Sequence, residues 1–302
     1  MSLSWALGGA VALAAASVPL FFKPVWFGLG LIWLIFTLWA VLPVVHLLAR
    51  LVAPGAEYCW SERLCNVLFR MLFGSCWWLH VDGPTSEDWA RVIPDEALQR
   101  GCVFMVNHTS FVDGFMFSGL TPQRVIARAR TLMKGGIFKT PVIGSVFSRL
   151  GHLPVHFTRE ADNSSFSVDK EAQSLVTAEV QRHLASGGVL AFCPEGSINR
   201  GDQTTLLPFR RGTFQIVLDH KVPVFGLTVY GNHHFWPTKK QMGGYPASIY
   251  ANVFAVEEWN AQLGSSTLDA AALCELCEKR MQVSLAGCAA RARAAGEKTK
   301  SK

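Results

Sequence analysis

Apolar residues fill the first fifty positions almost without a break, then recur in short bursts separated by polar turns. Trp5 to Phe22 is 18 residues with no charge, and Val25 to Leu48 is 24 more. As helices these runs reach about 27 Å and 36 Å, against a hydrocarbon core of about 30 Å. Lys23-Pro24 interrupts them. The pattern therefore predicts a helical hairpin that spans a bilayer or dips into one leaflet, with Pro43 kinking its second arm. No Lys or Arg precedes the first run, unlike a secretory signal. Arg50, Arg63 and Arg70 follow the second run at once, which places that side in the cytosol.

Beyond residue 50 the period changes. Leu64, Val67, Leu68, Met71 and Leu72 fall at i, i+3, i+4, i+7 and i+8, an amphipathic helix within residues 56–73. The aromatic run Cys76-Trp77-Trp78-Leu79-His80-Val81 reads as a strand, suited to core packing or to tryptophans at headgroup level. Residues 83–101 read as a polar surface connection with a short helix. Apolar bursts at 103–106, 125–127, 152–157, 189–193, 222–230 and 248–256 read as strands, the last an outer one. Between them lie a loop and helix over 132–150 and a polar loop over 159–167. An amphipathic helix from Val168 to Leu184 is closed by Gly187-Gly188. A helix over 212–220 follows, then a long Ala-rich helix over 267–295. Strands alternating with helices predict an α/β fold, a central mostly parallel sheet flanked by helices. The expected division is a membrane-anchoring hairpin over 1–50, one α/β domain over 51–260, and a C-terminal helix with a disordered basic tail over 261–302.

Composition sharpens this picture. Half the residues are apolar, 17% are charged, and the mean hydropathy is +0.25. The net charge of +6, beside a hydrophobic anchor, suits anionic headgroups or phosphorylated ligands. The dense Lys/Arg stripe interleaved with aromatics that marks nucleic-acid binding is missing. Eight scattered cysteines, several inside apolar runs, read as free thiols of a reduced, cytosol-facing body. Cys274 and Cys277 form a CxxC without a second pair or a histidine cluster, and they fall in a helical pattern. No metal is expected there.

Two strands empty into polar turns that carry chemistry. Val103 to Val106 leads into Asn107-His108-Thr109-Ser110-Phe111-Val112-Asp113-Gly114. In α/β folds the carboxyl ends of strands hold the ligands. His108 and Asp113 are five apart and do not share a helix face. They meet if the histidine sits in the turn and the aspartate in the first helical turn. A carboxylate accepting Nδ1–H fixes the tautomer and leaves Nε2 free to take a proton. With no protein nucleophile nearby, the nucleophile is a substrate hydroxyl. The plainer alternative is a turn histidine with an N-capping aspartate. The second turn is Cys193-Pro194-Glu195-Gly196-Ser197. Glu195, beside a glycine that lets backbone approach closely, suits a hydrogen bond to an acceptor hydroxyl or the role of a surface turn carboxylate. Arg200, Arg210 and Arg211 flank the following loop and suit a phosphate.

Together the two turns resemble the glycerolipid acyltransferase family of the 1-acyl-sn-glycerol-3-phosphate acyltransferase type. Its NHx4D motif appears as Asn107 to Asp113, and its FPEG motif as Phe192-Cys193-Pro194-Glu195-Gly196, with one residue inserted. Lys134 to Phe157 resembles the family's second block. Phe209-Arg210-Arg211-Gly212 and Val222-Pro223-Val224 resemble its downstream blocks. The resemblance covers roughly Cys76 to Tyr230. It implies a glycerolipid acyltransferase-like fold that moves a fatty acyl group from acyl-CoA to a lysophospholipid hydroxyl. It implies His108 and Asp113 as catalytic residues, with Asn107, Lys134, Glu195, Gly196, Ser197, Arg200 and Arg210 binding substrate. Acyl-CoA is then a co-substrate, and no cofactor, metal or nucleic acid is needed. The partners are membrane lipids and the two substrates. The protein would be integral to the membrane with its catalytic domain facing the cytosol, in the endoplasmic reticulum if the source is eukaryotic. Ser197-Ile198 stand where the family has Thr-Arg, and Phe157 stands near the place of another arginine, with Arg159 two residues on. These departures make a lysophospholipid with another headgroup the alternative acceptor. A non-catalytic membrane protein on the same fold is the competing class.

Overall fold

Among the described residues, nine strands are interspersed with helices. They are β1 (Leu79–Asp82), β2 (Cys102–Val106), β3 (Ala129–Lys134), β4 (Leu153–Val155), β5 (Phe157–Arg159), β6 (Phe166–Val168), β7 (Val189–Phe192), β8 (Val224–Tyr230) and β9 (Ala247–Ala255). The computed structural model describes the backbone of residues 3–155, 157–159, 166–168, 170–265 and 267–300. It describes the side chains of 22–155, 174–265 and 267–296. Seven strands form one sheet in the order β1-β9-β8-β2-β7-β3-β4, and β5 and β6 form a separate antiparallel pair. Within the large sheet only the β8–β9 pairing is antiparallel.

The central strand explains its own sequence. Every residue of β2 is buried. Neighbouring residues of a strand point to opposite faces, so an all-apolar strand needs cover on both. Phe104 and Val106 join a core with Trp89, Ile93, Phe69 and Leu72. Val103 and Met105 join another with Phe192, Phe214, Leu273 and Met281. The second core is closed by the helices Gly212–His220 and Ala270–Lys300.

The expected hairpin is instead one continuous helix, Leu3–Val52, running straight through Lys23-Pro24. Proline removes one N–H and strains one turn, but hydrogen bonding resumes on either side. Tertiary contacts hold this turn helical. Gly244, at φ +98°, lies so close that a Cβ there would come within 2.5 Å of Phe27 Cβ and 3.0 Å of Pro24 Cα. Trp26 Nε1–H donates to Ser75 Oγ at 3.0 Å. The stripe Phe27, Leu34, Leu38, Leu42 and Ala49 is buried, and four of these five belong to the same core as Phe104. Each large side chain so buried stabilises by roughly 1.5–3 kcal/mol. The stretch Phe27 to Leu42 of the long helix is therefore part of the domain's own core. Its other face leaves Leu29, Ile32, Trp33, Phe36, Leu47 and Leu51 exposed. Among the described residues, Phe22–Val52 is long and apolar enough to cross a membrane.

Other differences are local. Residues 125–127 lie at a short helix, Gln123–Ile126, and the strand follows as β3. The polar alternation of Arg128 and Arg130 hides that strand. The connection over 83–101 holds two helices, Ser86–Val92 and Asp95–Arg100, the first closed by a capping box between Thr85 and Asp88. The expected strand over 152–157 is split between β4 and β5, and β6 occupies part of the expected loop. Strand β9 lies second from the edge, covered by β1. The C-terminal helix reaches Lys300, through most of the tail expected to be disordered. Cys274 and Cys277 are buried on that helix, and no metal-binding cluster is found among the described residues.

Candidate active site

Three parallel neighbours deliver three turns to one place. Met105 of β2 is opposite Phe192 of β7, and Val106 of β2 is opposite Leu227 of β8. The segments after them, Asn107-His108, Cys193 to Gly196 and Gly231-Asn232, therefore leave the sheet side by side at its carboxyl edge.

The Asp113 carboxylate is the hub. Its Oδ2 accepts the N–H groups of Thr109 at 2.7 Å and Ser110 at 2.9 Å, and lies 2.9 Å from His108 Nδ1. Its Oδ1 accepts the Asn232 side-chain amide. A carboxylate held this way only accepts, so Nδ1 carries the proton and Nε2 presents its lone pair. Asp113 is 1% exposed and the imidazole 26%, so the acid is sealed while the base reaches open space. Nε2 has no hydrogen-bond partner among the described residues.

A second layer fixes the backbone around the histidine. Buried Glu195 accepts the His108 N–H at 2.6 Å through Oε1 and the Leu207 N–H at 2.9 Å through Oε2. Burial pushes its carboxyl above the usual range, against the pull of these two N–H groups. Asn107 exchanges two bonds with Val229 of β8, donating to its carbonyl at 2.9 Å and accepting its N–H at 2.7 Å. The Asn199 N–H donates to the His108 carbonyl at 2.7 Å. Asn107 and Glu195, expected at the substrate, are thus spent on backbone. The N–H groups of Thr109 and Ser110, natural candidates for an oxyanion, are held by Asp113.

The remaining expected residues lie at or past the carboxyl ends of β3 and β7. Lys134 ends β3 and is exposed, as are Gly196, Ser197, Arg200 and Arg210. Gly196 has φ +68°, and a Cβ on it would lie 2.1 Å from Arg210 Nε, so the bare glycine lets the guanidinium cross it. The Arg210 N–H donates to the Pro194 carbonyl at 2.9 Å. Beneath the dyad, a narrow apolar cavity of about 40 Å³ begins at exposed Gly114. It runs between Leu38 of the long helix, Phe69, Phe117, Val146 and Leu150.

The family described as Acyltransferase matches residues 90–230, the span that holds the first two turns and stops just short of the third. The chloroplastic 1-acyl-sn-glycerol-3-phosphate acyltransferase BAT2 of Brassica napus is 31% identical over 137 residues, 45% of this chain and 35% of that one. Over this span the chain is similar to the glycerolipid acyltransferase family. The 1-acyl-sn-glycerol-3-phosphate acyltransferase of Cocos nucifera is 25% identical over 163 residues, 53% of this chain and 48% of the relative. The chain thus spans about half or less of the length of these curated relatives. The crystal structure of the 1-acyl-sn-glycerophosphate (LPA) acyltransferase PlsC from Thermotoga maritima superposes with a TM-score of 0.62 at 13% identity. It covers 89% of this chain and 95% of that one, a likeness of fold.

Sequence reasoning missed Asn232 and Asn199. Asn232 had a usable signal, because Tyr230-Gly231-Asn232 is a third strand end emptying into a polar turn. Asn199 had none. Its role depends on how the loop folds back, with its amide donating to the carbonyls of Asp202 at 3.0 Å and Thr205 at 2.7 Å.

Proposed function

We propose that this protein transfers a fatty acyl group from acyl-CoA to the free hydroxyl of 1-acylglycerol-3-phosphate, giving phosphatidic acid. The observation that carries the reading is the His108–Asp113 pair, with Nδ1 on a sealed carboxylate and Nε2 turned to the open edge. An alcohol does not ionise at neutral pH, so a base must take its proton as it attacks. Nε2 accepts that proton while the alcohol oxygen forms a bond to the thioester carbonyl. Asp113 stabilises the imidazolium; general-base help of this kind is worth about 10²–10⁴-fold. The tetrahedral adduct then expels the CoA thiolate, which takes the proton. No covalent enzyme intermediate, cofactor or metal enters this scheme.

The exposed cations Lys134, Arg200 and Arg210 would hold the acceptor phosphate, and the cavity below Gly114 would widen from about 40 Å³ to take the acyl chain. The outward apolar face of Phe22–Val52 supports an integral membrane protein, with the site facing the cytosol and the endoplasmic reticulum as its place in a eukaryote. Half-buried Ile198, unable to bind phosphate, favours a second reading in which the acceptor is another lysophospholipid.

Full-length protein in detergent, given labelled acyl-CoA and a panel of lysolipids, tests both. Transfer to 1-acylglycerol-3-phosphate is expected, with His108→Ala at background and unchanged in thermal stability. Wild-type rates in purified His108→Ala, or no transfer to any acceptor, overturn the reading and leave the non-catalytic class.

A further inference from the structure

The cavity below Gly114 is mostly apolar, and its polar lining is Glu62, His152, Ser118 and Thr131. Glu62, 2% exposed on the helix Glu57–Ser75, lines it beside His152, and its Oε1 has no hydrogen-bond partner. Oε1 lies 3.6 Å from His152 Nδ1, too far for a hydrogen bond. Nor is this an ion pair. Nδ1 accepts the Thr131 N–H at 3.3 Å, which leaves the ring neutral with its proton on Nε2. Burial pushes Glu62 well above the ordinary carboxyl range and His152 down to about 4, so burial works against the charged form of each. A buried carboxyl oxygen with no partner is costly unless something bonds it. Core packing alone does not call for a glutamate among Leu38, Phe69, Val146 and Leu150.

Resting on the acyltransferase reading, we propose that Glu62 and His152 form a polar seat in the acyl-chain cavity that selects chains bearing a hydroxyl. Glu62 Oε1 is an acceptor and the His152 Nε2–H is a donor. A chain hydroxyl, which both donates and accepts, satisfies the seat; a plain alkyl chain leaves it bare. The cavity's near end is open at Gly114, where an added Cβ would meet nothing within 4 Å. A chain enters from beside the dyad and parts the aromatic side chains of Phe115 and Phe147 that line the way. The seat lies away from the thioester end, so the recognised hydroxyl is mid-chain or terminal.

The test compares palmitoyl-CoA with mid-chain- and ω-hydroxypalmitoyl-CoA as donors to one lysolipid, using full-length wild type, Glu62→Gln and Glu62→Leu. At least one hydroxylated donor should have the higher kcat/KM in wild type. That preference should fall about tenfold or more in Glu62→Leu and survive largely in Glu62→Gln. Binding of the free acids to the same proteins, read by intrinsic tryptophan fluorescence, separates the two claims. Preferential binding of a hydroxylated acid, lost in Glu62→Leu, upholds the seat even if no donor is turned over. Transfer of palmitate with no hydroxyl preference in wild type, or a preference unmoved in Glu62→Leu, overturns the seat and leaves the acyltransferase reading intact.

Discussion

Glu195 grips the backbone of His108 at 2.6 Å, although the two residues are 87 apart in sequence. Its other oxygen grips Leu207, so one buried side chain ties the β7 turn to the histidine turn and to the loop that follows. Glutamine is nearly the same shape but has a single acceptor oxygen, and its amide would face an N–H. Glu195→Gln should therefore leave one buried donor unpaired and lose about 1–3 kcal/mol of stability. Thermal unfolding in detergent checks this. An unchanged melting temperature would show that the carboxylate is not needed to hold the turn.

Asp113 and Asn232 act as a unit. Asp113→Asn removes the charge beside the imidazolium and permits the wrong tautomer, and transfer should fall by about 10³–10⁴-fold. Asn232→Ala removes the donor on Oδ1 and the acceptor of the Thr109 hydroxyl, and kcat should fall about tenfold with KM little changed. Combined, the two should cost little more than Asp113→Asn alone, because residues in one network are not additive. A multiplicative loss would mean that Asn232 acts elsewhere.

Gly196→Ala puts a Cβ where Arg210 now lies and forces an L-residue into a left-handed conformation that costs roughly 1–2 kcal/mol. The guanidinium must leave the mouth of the site. The KM for a phosphate-bearing lysolipid should rise about tenfold while kcat stays within about twofold, as for loss of one charge-assisted contact. Steady-state kinetics with varied acceptor would decide, and a fall in kcat alone would place Arg210 away from the headgroup.

Acid should loosen the fold through its buried histidines. His183, whose Nε2–H donates to the Val189 carbonyl at 3.1 Å, is pushed from 6.5 down to about 4, by burial first and by Arg130 second. A base with a depressed pKa in the folded chain binds protons better when unfolded. Its contribution is complete above 6.5 and is lost as pH falls through about 4. His152 and His233, also lowered to about 4 by burial, act in the same sense. Melting temperature should drop across this window, and His183→Gln, which keeps a donor for Val189, should flatten part of the drop. Equal slopes would assign acid sensitivity to other groups.

The dyad was legible because its geometry is local: a strand, a turn and the first residue of a helix bring positions five apart together. Asn232 was not, because it meets Asp113 across 119 residues, through a strand order that places β8 beside β2. The backbone partners of Asn107 and Glu195 were hidden for a related reason. A polar residue at a strand end looks the same in sequence whether it faces a ligand or clasps a neighbouring strand. The Lys23-Pro24 break misled because local propensity was outweighed by packing of Phe27 against the loop at Gly244. The mostly parallel sheet followed from bursts of apolar residues spaced by helices, whereas β3, masked by Arg130, and the short strands β5 and β6 did not.

Labour at this edge is divided. Asn107, Glu195, Asn199 and Asn232 hold the scaffolding of the base, while Lys134, Arg200, Arg210 and Ile198 carry none of it. Evolution can therefore exchange the outer four without retuning the inner ones. A lineage can switch headgroups by a few rim substitutions while its proton-transfer machinery stays frozen, and the isoleucine at 198 is the kind of trace such a switch would leave.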